Sequence, residues 1–192
     1  MSESILKNLG SFIIVICLLL TGCGAARVLE SKSAEVPVGV DLSGFWLIRE
    51  DPNAPRISDN RRVRDGLIPT GNMSRTRRNR GSSSVSVQVF LEYGESLKIT
   101  QTQYGIFISY DRSIVEEYTF GENRLVTIGP IEALRVSGWD GRSFVVETLD
   151  DGGTMLFEAW HLQDGNDVLV RHIRMTKGDH ETFSQEQVFD RR

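Results

Sequence analysis

The chain has 192 residues, with 22 Lys and Arg against 26 Asp and Glu, 40% hydrophobic and 25% charged residues. That apolar share supports one packed core and argues against global disorder, and 18 glycines without a three-residue period exclude a collagen-like chain. Two cysteines cannot build a disulfide scaffold or a four-cysteine zinc site, and a net charge of −4 gives no whole-chain reason to expect nucleic acid.

Residues 1–8 are short and mostly polar, with Lys7 positive and Glu3 out of keeping with a basic leader. Phe12 to Leu20 follow as an uncharged apolar run. It is shorter than the roughly 20 residues of a membrane-spanning helix and suits the hydrophobic region of a signal peptide over 1–22. Leu20-Thr21-Gly22-Cys23 closes that run and resembles the lipobox of bacterial lipoproteins. The resemblance implies that Cys23 becomes the acylated mature N-terminus and that Cys17 leaves with the leader. Gly24 in place of Asp then implies the outer membrane of the cell envelope. Two or more acyl chains anchor stably, at about 0.8 kcal/mol per buried methylene. An ordinary secretory signal with a chance cysteine is the alternative.

Residues 23–40 are small and polar without a sustained apolar period, and read as a lipidated flexible tether. The domain is expected over 41–192, opening with a strand at Gly44-Phe45-Trp46-Leu47-Ile48. Residues 50–84 interrupt it as a basic, disordered insert with eight arginines against four acidic residues, a net +4. Residues 85–192 carry ten basic and eighteen acidic residues, a net −8. Arg75, Arg77, Arg78 and Arg80 could contact an anionic lipid surface at ~1 kcal/mol per arginine, or fold back on the acidic body. No aromatic residue separates these arginines, so stacking platforms for nucleic acid are missing.

From residue 85 short alternating runs follow one another, beginning with Val85–Phe90 and Ser96–Gln101 and ending with Asp167–Met175 and Glu181–Phe189. Asp140-Gly141, Asp151-Gly152 and Asp164-Gly165 stand between runs as hairpin turns. Successive hairpins leave no room for crossover helices, so the sheet is antiparallel. About nine to eleven strands must hide their edges, and an all-β up-and-down barrel does so most fully; a flattened sandwich is the alternative. Gly44-Phe45-Trp46 is similar to the G-x-W of lipocalins and their calycin relatives. The chain also resembles a group of exported bacterial proteins of lipocalin-like fold, on Asp41–Trp46, Ser96–Gln101, Gly138–Thr148 and Val188–Arg191. That resemblance implies a fold and an export route, and no established activity.

Candidate chemistry is sparse. With a two-residue loop at Asp164-Gly165, His161 faces Val168 and lies about 13 Å from His172, too far to share a zinc. No metal or cofactor is expected. With Asp151-Gly152 as the central pair of its turn, Glu147 and Glu158 become diagonal neighbours on one face, a carboxylate pair that a weak hydrolase or isomerase could use. No nucleophile motif or phosphate-binding loop accompanies them. Glu158, Arg171 and Arg174 lie among apolar residues, which leaves a partly polar interior and a flattened barrel both open. The three tryptophans, nine phenylalanines and four tyrosines read chiefly as core. In lipocalins a basic residue after the last strand packs over the Trp of G-x-W, and the resemblance implies that Arg191 covers Trp46 beside Gly44, with Arg192 as the alternative. The chain is therefore expected to be a non-catalytic binding module on the membrane, with a small hydrophobic ligand or an envelope protein as partner. A structural protein docking onto an envelope complex is the alternative.

Overall fold

The computed structural model describes residues 28–49 and 87–192. The signal peptide, Cys23, and the insert with Arg75, Arg77, Arg78 and Arg80 lie outside the described residues.

Ten antiparallel strands follow one another around a nearly closed barrel. They are β1 (Gly44–Ile48), β2 (Ser96–Gln101), β3 (Gly105–Tyr110), β4 (Ile114–Thr119) and β5 (Glu122–Ile128). Then come β6 (Ile131–Asp140), β7 (Ser143–Asp150), β8 (Thr154–Gln163), β9 (Val168–Lys177) and β10 (His180–Arg191). The spatial order β4-β3-β2-β1-β10-β9-β8-β7-β6-β5 joins the first strand to the last. Trp46 stands opposite Arg191 and Ile48 opposite Phe189. Among the described residues the sheet is open between β4 and β5, consecutive strands that do not pair. There Phe120 turns its ring into the core, edge-on to Trp139 and Phe144. Side chains and the next turn stitch β4 to β6: the Ser137 hydroxyl donates to the Thr119 carbonyl at 2.8 Å, and Gly121 N–H donates to the Ser137 carbonyl at 2.8 Å.

Alternate residues of each strand point inward. One core cluster gathers Leu42, Trp46, Leu97, Ile106, Phe144, Trp160 and Phe189 around the end where β1 begins. Each such side chain contributes roughly 1.5–3 kcal/mol by leaving water. The opposite end is filled by Val87, Val89 and Phe90 packed on Leu156, Ile173 and Met175. The Val85–Phe90 strand expected from alternation is there a 3-10 turn over Val87–Phe90. It crosses the barrel end against β7 and β8 without joining their ladders, so burial of three apolar residues fixes its shape.

The expected tether also takes a different form. Residues 28–40 are docked on the barrel: Ser33 bridges Trp139 through hydrogen bonds of 3.1 and 2.9 Å, and Lys32 pairs with Glu147 at 2.9 Å. Leu29 packs on Val136 and Leu149. The strap holds by isolated contacts, which leave no periodic pattern to read. Gly138, at φ 155°, makes room for it, since a Cβ there would stand 2.5 Å from the Ser33 carbonyl oxygen.

Two turns are longer than the hairpin signal implies, and both move the register. Three residues separate β7 from β8, so Val146, not Val145, faces Glu158. Four residues separate β8 from β9, and His161 faces Val170 rather than Val168.

Candidate functional site

The expected carboxylate pair is dismantled by that first shift. A one-residue slip sends a side chain to the other face of the sheet. Glu147 accordingly points outward to Lys32, and Glu158 points inward, 1% exposed. The two acids cannot act on one substrate.

The second shift brings the histidines together. His161 and His172 are diagonal neighbours on the outer face, their rings stacked 5.3 Å apart. His161 Nε2 lies 3.0 Å from the Gln163 amide, and His172 Nδ1 lies 3.3 Å from Glu186. Burial, then the neighbouring His172, holds the His161 imidazole below its usual pKa. Among the described residues no group of three or more His, Cys, Asp or Glu is placed to hold a metal.

Arg191 lies over Trp46, its guanidinium 4.2 Å from the ring centroid. It donates to the Ser43 carbonyl at 2.7 Å and to the Asn166 carbonyl at 2.9 Å. Trp46 is fully buried and donates its indole N–H to the Leu42 carbonyl at 3.0 Å. A Cβ at Gly44, φ 153°, would meet Arg191 Nη1 at 2.7 Å, so a residue without a side chain lets the guanidinium in. Arg192 instead donates its backbone N–H to the Phe45 carbonyl.

Deeper inside lies a polar cluster that the sequence reading left open. Arg171 donates twice to one Glu158 carboxylate oxygen, and at 2.8 and 3.0 Å to the Glu92 carbonyl and Gln187. Its guanidinium lies 4.5 Å from the Trp160 ring centroid and 5.6 Å from that of Tyr110. Burial disfavours that charge, but Tyr110 and Glu158 more than offset it, and its pKa is raised. Burial also pushes the Tyr110 and Tyr118 phenols up. The interior therefore holds a neutralised ion pair within an aromatic wall.

A cleft of about 390 Å3 opens at the β4–β5 gap. Phe90, Glu116, Arg124, Val126, Ile128 and Arg135 line it. Arg135 is 5% exposed, donates to the Thr148 hydroxyl at 3.1 Å, and meets Glu116 at 3.5 Å. Arg124 is half-exposed, 3.5 Å from Glu122, and donates to the Glu117 carbonyl at 3.3 Å. A second hollow of about 270 Å3, beside Val40, Arg142 and His161, is below the usual range of roughly 300–1,000 Å3 for small-molecule sites. The cleft signal was absent from the sequence, because nothing in the 119–122 turn announces that β4 and β5 stay apart.

Among the described residues this geometry defines a ten-stranded up-and-down barrel with a packed core and a lateral cleft at the β4–β5 gap. No family model matches the chain, and no curated protein matches it. Solved structures of similar shape include secretory abundant heat soluble protein 4 from Ramazzottius varieornatus, at 11% identity and TM-score 0.45 over 79% of this chain and 94% of that one. A fatty acid binding protein of Schistosoma mansoni in complex with arachidonic acid is similar at 12% identity and TM-score 0.43, over 85% of this chain and 99% of that one. The REP1-NXSQ fatty acid transporter is similar at 15% identity and TM-score 0.41, over 79% and 96%.

Proposed function

We propose that the chain is an envelope lipoprotein, anchored to the outer membrane through acylated Cys23, whose barrel is a non-catalytic binding module for a small anionic amphiphile. The observation that carries the ligand is the β4–β5 cleft, where the half-exposed Arg124 guanidinium stands beside the apolar side chains of Val126 and Ile128. Arg124 is exposed enough to turn to a carboxylate or phosphate head, and charge-assisted hydrogen bonds of this kind are about twice as strong as neutral ones. Val126 and Ile128 supply the apolar contact for the tail in a cleft whose lining is otherwise mainly polar. Separation of Glu147 from Glu158 supports a role without catalysis.

A dansylated fatty acid titrated into the full-length protein should bind saturably, and Arg124→Gln should weaken it several-fold. No saturable binding, or equal binding by the variant, would overturn the ligand. The anchor is tested apart from it: globomycin should make an unprocessed precursor accumulate, and a Cys23→Ala chain still membrane-bound and migrating normally would end the lipoprotein reading. Arg75, Arg77, Arg78 and Arg80 would add a contact to anionic lipid. Its replacement by serines should lower binding to anionic vesicles at low salt and matter little at high salt.

The filled interior favours a second reading, a structural protein docking onto an envelope complex. Native mass spectrometry of material from its own host decides: a bound hydrophobe supports the cleft, a bound protein supports docking.

A further inference from the structure

On the outside of the barrel Leu125, Leu134, Leu149 and Met155 stand opposite one another in register across β5, β6, β7 and β8. The inward positions beside them, Val126, Ala133, Arg135 and Leu156, belong to the interior, so strand alternation turns this row outward. Leu125 and Leu134 are 57% and 46% exposed. Leu29 already covers the Leu149 end of the row, so the apolar surface left open is that of Leu125 and Leu134, paired on neighbouring strands. The strap ends on this row: Leu29 packs on Val136 and Leu149, Met155 packs against the same cluster, and Val28 before it is 79% exposed. The neighbouring charge is neutralised, Lys32 holding Glu147, while Glu132 and Thr127 form the polar rim beyond the row.

We propose that Leu125 and Leu134, with Val28 beside them on the strap, form the face that lies against the lipid bilayer; the proposal rests on the acylation of Cys23. Five residues carry the chain from Cys23 to Val28, and a fully extended chain covers at most ~3.3–3.6 Å per residue, so the acyl anchor is held within about 18 Å of the row. A long free tether would let any face of the barrel meet the membrane. With residues 28–40 bound to the barrel, the side carrying β5–β8 is presented to the bilayer. The acyl chains retain the protein there, and the leucine row sets its orientation.

Full-length protein carrying p-benzoylphenylalanine in place of Leu134, or in place of the exposed Lys98 on β2, is irradiated in the bacterial host, and adducts are read by mass spectrometry. Position 125 is the second choice if position 134 disturbs folding. Lipid adducts several-fold more abundant at 134 than at 98 are expected. Equal yields, or adducts at 134 that are chiefly to a second copy or another protein, would overturn the bilayer face. Metabolic palmitate labelling of Cys23 separates the two readings. Labelled Cys23 without lipid adducts at 134 removes the face alone. Unlabelled Cys23, with or without adducts, removes the anchor and with it the proposal that rests on it.

Discussion

The barrel has two seams, and they are made differently. Where β1 meets β10, backbone ladders close the sheet, Trp46 is fully buried and Arg191 lies over it. Where β4 faces β5 no ladder forms, and Ser137, Arg124 and Arg135 reach across with side chains. The first seam spends its polar groups on structure. The second leaves charged groups at an open cleft, and it is there that we place the proposed binding, while the closed seam carries stability.

The largest effect should come from breaking the closed seam. Trp46→Ala is expected to destabilise by about 3–5 kcal/mol in urea denaturation, as truncation of a buried aromatic does. A loss below about 1 kcal/mol would show that the closed seam does not carry the fold.

Glu158→Leu comes next, because it strands the Arg171 cation inside the barrel at a cost of about 3–5 kcal/mol. Adding Arg171→Met should recover much of that loss. A double variant no more stable than the single would mean that packing, not the buried charge, sets the cost.

Gly138→Ala tests the strap. The added Cβ meets the Ser33 carbonyl and the backbone sits at φ 155°, so about 1–3 kcal/mol is expected, with faster proteolysis and hydrogen exchange over residues 28–40. Unchanged protection of that segment would show the strap yielding without release.

At the open seam Arg124→Gln should change stability by no more than about 0.5 kcal/mol, while weakening amphiphile binding. A large stability loss there would make both seams structural and erase the distinction.

The smallest effect is a pH dependence. The folded state lowers the His161 pKa, so its contribution is complete above the ordinary value near 6.5 and is lost as pH falls from there through the lowered folded value. His161→Gln should flatten the acid limb of the stability profile slightly between pH 7 and 5, and an unaltered slope would assign that limb to other groups.

What could be read from the sequence and what could not divide along the same lines. Alternating runs broken by Asp-Gly turns indicate an antiparallel meander, since short turns forbid crossovers, and the ten strands observed fall within the expected range. Closure of a barrel brings the last strand beside the first, and the lipocalin resemblance implied Arg191 as the residue that covers Trp46 beside Gly44. Glu158 and Arg171 were legible only as charges out of place among apolar neighbours. Their partnership depends on β8 pairing with β9 so that Trp160 faces Arg171 and Ile173 faces Glu158.

The sequence by itself determined an antiparallel meander of short strands, because side-chain period and turn chemistry are local, and the lipocalin resemblance implied Arg191 over Trp46 where the first strand meets the last. Only the tertiary structure decided which face Glu147 and Glu158 occupy, that His161 meets His172, that residues 28–40 bind the barrel and that β4 and β5 stay apart. The physical reason is the two-residue period of a strand: one residue more in a turn inverts every side chain that follows, and the packing of both strands, more than the turn signal, decides how many residues the turn keeps.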